Sequence, residues 1–357
     1  MKESYIYIGA PVLAAALRRV KPVISRQCFT PIMQNVIITR RAVIAGDLDA
    51  WFMTEIDAGG YGAFRVAVEP APLLKALKGV KGIVTLHNRG GTVLISTDNA
   101  TLPVPAADPG DYPLVPSVGD YAGYFTPAGM AVLYDAATIA SRDNRRPSLQ
   151  SVKVESTGAH VYTTATDSYR AYMRRAEGAI NKTDNPLLVP APYLLKLKGA
   201  KLGVKADTQV YISESHIHFI GAGFAAALRL IDGKYPDVGK FFTDTNNYNF
   251  VATLDRAALA GALEPIAGAG ETVRLVFNGS FTILHKTDAL TLADIPAETT
   301  GEFTSAVDPV LLKGLIDVMR GEIITMKGEP AKEGERSLKA LLIRDNSTDA
   351  IIMPVRL

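Results

Sequence analysis

A helix-like pattern of apolar residues, followed by a strand-like pattern, recurs three times along the chain. Leucines recur one helical turn apart in residues 73–77, 194–197 and 311–316, which places them on one face of a helix. Alternation of apolar and polar residues, typical of strands, follows in segments such as 83–97 and 208–222. The pattern predicts an α+β fold in which two helices per repeat pack on antiparallel sheets.

Capping and turn residues sharpen the predicted element boundaries. Thr126, Asp255 and Asp308 are suited to cap helix N-termini, and proline follows the first and third of them. The pair Gly90-Gly91 predicts a hairpin turn. The glycines of residues 268–270 lack the context of a phosphate-binding loop and predict a helix C-terminus instead.

Short motifs recur with a period near one third of the chain. Pro72, Pro192 and Pro309 stand at similar places in three similar segments, and they lie 120 and 117 residues apart. Asp47, Asp167 and Asp288 show a similar spacing. Several matches at one period predict three homologous domains, which we assign to residues 1–118, 119–243 and 244–357.

Composition narrows the class of protein. Hydrophobic residues make up 48% of the 357 residues and charged residues 21%, which favours a soluble globular protein. Neither a transmembrane segment nor a signal peptide is expected. The single cysteine, Cys28, excludes an internal disulfide and fits a reducing cytoplasm.

Basic residues cluster at the ends of predicted helices, although the net charge is only +2. A single such residue is commonly just solvated or favours the helix dipole. If equivalent helices line one surface, however, their cations form a stripe that contacts nucleic-acid phosphates without reading bases. The candidates are Arg18, Arg19, Lys75, Lys78, Arg142, Arg145, Arg146, Lys196, Lys198, Lys201, Lys313 and Arg320.

Catalytic and metal-binding patterns are weak. His216 and His218 project from one face of a predicted strand, but no cysteine or carboxylate pair completes a metal site. Asp47 and Asp49 resemble a catalytic pair, yet acidic residues beside a turn usually cap the backbone. No nucleophile elbow or cysteine–histidine signature occurs. We therefore expect no cofactor and favour a binding or structural role over an enzyme.

The ordered motifs resemble those of a known family over essentially the whole chain. They are PIMQNVII (31–38), IAGDLDAWF (44–52), ASRDNRRPSLQSVKVE (140–155), TATDSYRAYMRR (164–175), LRLIDGKYPDV (228–238) and IIMPVRL (351–357). In this order and spacing the sequence resembles the bacterial DNA polymerase III beta subunit, the DNA sliding clamp.

The resemblance implies a ring and a set of partners. Two chains of three similar domains would join head to tail, with helices lining a hole that holds double-stranded DNA. Arg26, Arg145 and Arg146 stand near the DNA-contacting positions of the family. DNA polymerase, the clamp loader and repair proteins would be the partners, bound through short linear motifs.

The resemblance also implies a peptide-binding pocket near the C-terminus. This chain has Ser168-Tyr169-Arg170-Ala171 where the family usually has Gly-His-Arg-Leu, and Asn99 to Leu102 is more polar than the family pattern at the dimer edge. The implied pocket residues are Leu149, Thr166, Ser168, Tyr169, Arg170, Ala171, Pro236, Lys240, Phe241, Ile351, Ile352, Met353, Pro354, Val355, Arg356 and Leu357.

Three alternatives remain open from the sequence. One is an enzyme that acts on nucleotides, centred on Asp47 and Asp49 or on His216 and His218. Another is a peptide-binding adaptor that is never loaded onto DNA. The third is a clamp-like protein that competes with a host clamp.

Overall fold

The computed structural model describes residues 4–24, 30–158, 160–181, 183, 185–245, 248–287, 290–330 and 337–356. Cys28 and the repeat marker Asp288 lie outside these residues, as do two predicted site residues, Arg26 and Leu357.

One order of elements recurs three times: a strand, a helix, five strands, a helix and three strands. In the first third these are β1 (Ser4–Gly9), α1 (Ala10–Val20), β2 (Val36–Thr39), β3 (Ala42–Gly46), β4 (Ala50–Glu55), β5 (Gly59–Tyr61), β6 (Arg65–Val68), α2 (Pro70–Ala76), β7 (Ile83–Asn88), β8 (Thr92–Ser96) and β9 (Thr101–Ala107).

The second third repeats the order and ends with an additional short helix. Its elements are β10 (Asp120–Phe125), α3 (Pro127–Ile139), β11 (Ser151–Ser156), β12 (Val161–Thr166), β13 (Arg170–Ala176), β14 (Gly178–Ile180), β15 (Leu187–Pro190), α4 (Ala191–Gly199), β16 (Thr208–Ile212), β17 (His216–Gly221), β18 (Phe224–Arg229) and α5 (Gly239–Asp244).

The last third repeats the order again. Its elements are β19 (Phe250–Asp255), α6 (Arg256–Ala269), β20 (Val273–Phe277), β21 (Phe281–His285), β22 (Thr291–Ile295), β23 (Ala297–Thr299), β24 (Phe303–Val307), α7 (Pro309–Val318), β25 (Ile323–Gly328), β26 (Leu341–Arg344) and β27 (Thr348–Ile352). The α+β prediction is confirmed, while the domain boundaries at residues 118 and 243 stay a prediction.

The chain divides into two compact units, and the second third contributes to both. The first unit holds residues 1–130, 178–181 and 192–230. Its fourteen strands form one sheet in the order β14-β10-β16-β17-β18-β4-β3-β2-β6-β9-β8-β7-β1-β5. The antiparallel pair β18–β4 joins strands from the first two thirds of the chain. Helix α1 buries Leu13, Leu17 and Val20 and packs against β3 and β4.

The second unit holds residues 131–177, 182–191 and 231–357. It contains a nine-stranded sheet in the order β15-β11-β12-β13-β27-β26-β25-β19-β23 and a four-stranded sheet in the order β22-β21-β20-β24. Strand β13 pairs with β27 from Arg170↔Ile352 to Arg174↔Thr348, and helices α6 and α7 pack on each other.

The predicted caps and apolar faces are confirmed. Asp255 accepts a hydrogen bond from the Ala258 amide at 2.6 Å, and Asp308 accepts one from the Val310 amide at 2.8 Å. Helix α6 ends at Gly270 in the left-handed conformation with φ 71°. The buried leucines of the three predicted apolar faces are Leu73, Leu77, Leu194, Leu197, Leu312 and Leu315.

Two equivalent hairpins share an unusual backbone conformation. Leu48 follows β3 and Ser168 follows β12, 120 residues later, and both have φ 79°. Residues other than glycine rarely adopt this left-handed backbone conformation. The recurrence of the same strained turn shows that the repeat extends to individual backbone angles.

Three predicted basic residues lie beyond the helices to which the sequence assigned them. Helix α2 ends at Ala76, α4 at Gly199 and α7 at Val318, so Lys78, Lys201 and Arg320 stand in the segments that follow. Lys201 has φ 55°, which no helical residue adopts. The spacing of Lys78 from Lys75 and of Arg320 from Lys313 predicts one helical face for each pair, and the helix ends at Ala76 and Val318 contradict this.

The outer edge of strand β9 has few backbone hydrogen-bond donors. The Ala106 amide donates to Gly91 on the β8 side at 2.9 Å, so the backbone nitrogens of Thr101, Pro103 and Pro105 point the other way. On that other side, β6 pairs with β9 only at Ala106 and Ala107. Because proline has no N–H, the Thr101 amide is the one donor that this edge offers between residues 101 and 105.

No helix in the described ranges is both long enough and apolar enough to span a membrane.

Candidate binding site

An apolar cavity of about 170 Å³ lies in the second unit, where β13 runs beside β27. Val238 also lines it and was not predicted. Its other lining residues were all predicted from the sequence: Leu149, Thr166, Ser168, Arg170, Ala171, Pro236, Phe241, Ile351 and Met353.

The floor of the cavity is part of the hydrophobic core. Ala171 on β13 pairs with Ile351 on β27, and both pack with Val238 and Phe242. At the mouth, by contrast, apolar side chains remain in solvent. Phe241 is 49% exposed and Met353 is 37% exposed. A rigid floor with exposed apolar residues at the rim suits a ligand that inserts apolar anchors.

The turn between β12 and β13 is fixed by its own polar side chains. Asp167 Oδ1 accepts hydrogen bonds from the amides of Tyr169 at 3.0 Å and Arg170 at 2.9 Å. The Thr166 hydroxyl donates to the Arg170 carbonyl at 2.6 Å and accepts from the Ser168 amide at 3.2 Å. These bonds hold Ser168 in its left-handed conformation.

The side chain of Arg170 is immobilised between two elements. Its Nε donates to Asp167 Oδ2 at 2.9 Å, and its Nη1 donates to the Leu311 carbonyl at 3.1 Å. A Cβ atom at Gly314 on α7 would lie 2.2 Å from Nη1, so a larger residue there would displace the guanidinium group from this position. Gly314 is not among the predicted site residues, although a glycine within a leucine-rich helix is a signal.

Some predicted pocket residues do not line the cavity. Ile352 is fully buried and faces away from it, since neighbouring residues of a strand point to opposite faces. Lys240 is exposed and lies 4.0 Å from Asp237. The remaining residues outside the lining are Tyr169, Pro354, Val355 and Arg356.

A second cavity, the arginine cleft, adjoins the apolar cavity and has a volume of about 470 Å³. Arg145 binds Asp143 through Nε and Nη2, each at 3.0 Å, and this contact holds the pKa of Asp143 below its usual value. Arg146 Nη1 donates to the Ser168 hydroxyl at 2.9 Å. The polar residues and the tyrosine that line it include Arg142, Asp143, Arg145, Arg146, Asp167, Tyr169 and Arg170.

Among the remaining predicted basic residues, some are exposed and others form ion pairs. Arg18, Arg19, Lys75 and Lys198 are exposed. In the second unit, Lys313 lies 3.0 Å from Glu264 and 2.6 Å from Asp317, and Arg320 lies 2.5 Å from the buried Asp135. Charges neutralised in this way attract phosphates less strongly.

Lys196 is also paired, within a half-buried cluster of the first unit. Its Nζ lies 3.5 Å from Asp47 Oδ2 and 4.6 Å from the centre of the Tyr193 ring. The Tyr193 hydroxyl donates to the same carboxylate oxygen at 3.0 Å. Burial raises the pKa of Asp47, and the charge of Lys196 opposes that shift. Asp47 and Lys196 therefore serve the packing of this unit.

The two histidines considered as a catalytic centre lie two residues apart on β17, with ring centres 6.2 Å apart. Burial lowers the pKa of both His216 and His218, which favours neutral rings at pH 7. In the described parts of the chain, no three residues of the metal-ligating types come together.

The comparison with known proteins bears on the same region. A model of the DNA polymerase III beta subunit central domain matches residues 130–237, which contain six of the residues that line the apolar cavity. Residues 130–237 are therefore similar to the central domain of bacterial sliding clamps. The beta sliding clamp of Micrococcus luteus is 28% identical over 260 residues, which cover 69% of this chain and 83% of that protein.

The fold agrees with solved members of the family over the whole chain. The sliding clamp of Bacillus subtilis has 18% identity and a TM-score of 0.90, with 100% of both chains covered. A sliding clamp of Pseudomonas aeruginosa solved with griselimycin has 17% identity and a TM-score of 0.88, also over 100% of both chains.

Proposed function

We propose that this chain is a DNA sliding clamp. Two copies join head to tail into a ring that encloses duplex DNA, and the apolar cavity tethers DNA polymerase and other replication or repair proteins. Each copy contributes three domains, at residues 1–118, 119–243 and 244–357. The protein acts in the cytoplasm and catalyses no reaction.

The observation that carries this proposal is the overlap of the family match with the cavity. The matched residues 130–237 include Leu149, Thr166, Arg170 and Pro236, which line one apolar site. A site of this kind binds short linear peptides through apolar anchors. In a clamp, such peptides come from the proteins that it holds on DNA.

A head-to-tail ring requires two different surfaces that complement each other. The outer edge of β9 belongs to the first unit, and β22 is an edge strand of the four-stranded sheet in the second. Leu102 on β9 is 43% exposed, Leu290 just before β22 is 61% exposed, and Leu292 on β22 is 38% exposed. These edges support a contact between β9 of one copy and β22 of the other.

Contact with DNA is assigned to cations that are open to solvent. Arg18 and Arg19 in the last turn of α1 and Lys75 on α2 are exposed. They would bind phosphates irrespective of base sequence, which permits sliding. The ion pairs of Lys196, Lys313 and Arg320 make them weaker candidates.

Encirclement is tested by comparing circular and linear DNA. The protein is placed on a nicked circle by a clamp loader, and its retention is measured before and after the circle is cut once. We expect a long lifetime on the circle and rapid loss from the cut DNA. Equal retention on both would contradict encirclement, and peptide binding without retention on either would favour the adaptor.

Charge reversal separates topological retention from phosphate contact. Arg18→Glu with Arg19→Glu should weaken DNA affinity and reduce its dependence on salt, since two phosphate contacts are lost. Arg40→Glu with Arg41→Glu is the matched control, because both residues are exposed and were not assigned to DNA. An equal effect of both pairs would contradict the assignment.

The apolar cavity is tested by deleting residues 353–357, which removes Met353 from the rim. Binding of a fluorescent peptide with leucine and phenylalanine anchors should be lost, while light scattering still reports the dimer. Unchanged peptide binding would contradict the site. Stoichiometric bound metal in the purified protein would instead revive the enzyme alternative.

A further inference from the structure

The arginine cleft carries an excess of positive charge that the apolar site does not use. Four of its residues are arginines, Arg142, Arg145, Arg146 and Arg170, and two are aspartates, Asp143 and Asp167. Arg145 and Arg170 are each bound to one of these aspartates. Arg142 and Arg146 are exposed, and neither is bound to a carboxylate in the described residues.

The cleft is continuous with the apolar cavity. Arg170 lines both, and Arg146 reaches the cavity through its hydrogen bond to Ser168. Tyr169, which is 65% exposed, lies in the cleft directly after Ser168 in sequence. A peptide with its apolar anchors in the cavity therefore places its neighbouring residues beside the guanidinium groups.

We propose that the arginine cleft binds an acidic side chain next to the apolar anchors of the partner peptide. This inference rests on the proposed function, since it requires that the cavity holds a peptide. Arg142 and Arg146 supply the charge, because guanidinium groups bind carboxylates in a planar, two-bonded geometry. The cleft thereby selects partners whose binding motif carries aspartate or glutamate.

An acidic peptide fits the cleft better than a nucleic acid does. The carboxylates of Asp143 and Asp167 stand among the arginines and would repel a continuous run of phosphates. A single carboxylate side chain needs only the space between two guanidinium groups. The link to the apolar cavity also favours a ligand that carries apolar and acidic groups together.

The test uses fluorescent peptides with the same leucine and phenylalanine anchors. One is neutral, and the others carry two glutamates or two lysines, before the anchors in one set and after them in another. At low salt we expect the glutamate peptide of one of the two sets, with its glutamates either before or after the anchors, to bind about fivefold more tightly than the neutral peptide. The preference should decline as salt is added.

Variants then locate the preference. Arg142→Gln with Arg146→Gln should reduce the ratio of glutamate to neutral affinity to about 1, and Arg146→Lys should retain part of it. Arg40→Gln with Arg41→Gln, in the first unit, is the matched control and should keep the wild-type ratio. Retention of the full ratio by the double cleft variant would overturn the inference.

The outcomes separate this inference from the proposed function. If no peptide binds the wild-type protein, the proposed tether fails and the inference fails with it. If the neutral peptide binds and glutamates add nothing, the inference alone is overturned. If the double variant loses affinity for a fluorescent single-stranded oligonucleotide but keeps the glutamate ratio, the cleft binds nucleic acid and the inference is also overturned.

Discussion

The turns of the hairpins β3–β4 and β12–β13 share a backbone conformation, but their aspartates have different roles. Each begins with an aspartate that binds the amide three residues later, through Asp47 and Ala50 in one and Asp167 and Arg170 in the other. In the first hairpin the aspartate joins a cluster with Lys196 and Tyr193. In the second it orients an arginine at the border of a cavity.

The difference comes from side-chain size at equivalent positions. The first hairpin continues with Ala50 and the bulky Trp51, and the second with Arg170 and the small Ala171. On the later helices, the buried Leu197 stands where α7 has Gly314, 117 residues further on. A repeated backbone thus acquires a binding site where small residues leave space for a long side chain and a ligand.

The largest effect is expected from removing Asp47. Asp47→Ala leaves the Lys196 ammonium group and the Tyr193 hydroxyl without their carboxylate, which should reduce the free energy of unfolding by about 2 kcal/mol. Asp47→Asn, which keeps an acceptor for Tyr193, should cost less. Denaturant unfolding measures both, and peptide affinity should not change.

Asp167→Ala is the matched change in the second hairpin. It should lower peptide affinity more than stability, because the released Arg170 lies at the cavity. If both alanine variants altered stability and binding alike, the contrast between the two hairpins would be wrong.

Enlarging Ala171 should fill the cavity. Ala171→Leu extends a side chain into the space of about 170 Å³ and should weaken peptide binding about tenfold, roughly 1.4 kcal/mol. Stability should change little, since the new atoms enter existing space. Titration with a fluorescent peptide and thermal unfolding are the two measurements. Ala227→Leu, at a buried position of β18 outside the cavity, is the control for overpacking.

A smaller effect is expected at Gly314. Gly314→Ala improves helix propensity by about 1 kcal/mol but forces Arg170 out of its position, so peptide affinity should fall severalfold. Combining it with Arg170→Ala completes a double-mutant cycle. Strong coupling between the two changes in peptide affinity is expected, and simple additivity would show that Gly314 does not position Arg170.

The smallest effects concern the two strained turns. Leu48→Gly relieves about 1 kcal/mol of left-handed strain and loses somewhat less through the greater freedom of the unfolded chain, for a net gain near 0.5 kcal/mol. Ser168→Gly should gain nothing, because it also loses the hydrogen bond from Arg146. Urea unfolding of both variants checks this order, and a larger gain at Ser168 would reverse it.

The fold could be predicted well because its signals are local. The spacing of Leu194 and Leu197, the caps at Asp255 and Asp308 and the Gly90-Gly91 turn each depend on a few neighbouring residues. The limits of the helices were less predictable. The spacing of Lys78 and Arg320 predicts that they continue a helical face, but the chain leaves the helix before each of them.

The cavity was predicted only through family resemblance, since its walls come from distant segments. Nothing local to Leu149 or Met353 indicates that they line one space. Strand alternation could have excluded Ile352, which follows the lining residue Ile351. The ion pairs of Lys313 and Arg320 were beyond prediction, because their partners Glu264 and Asp135 are far away in sequence.

The prolines of β9 would affect how long a ring closed through this edge stays closed. A seam through this edge would lack backbone donors at Pro103 and Pro105, so side-chain packing around Leu102 would carry more of the joint. Apolar packing without a full ladder of hydrogen bonds gives a shallower barrier to separation. Release of such a clamp from circular DNA by spontaneous opening would then occur at a rate that depends on Pro103 and Pro105.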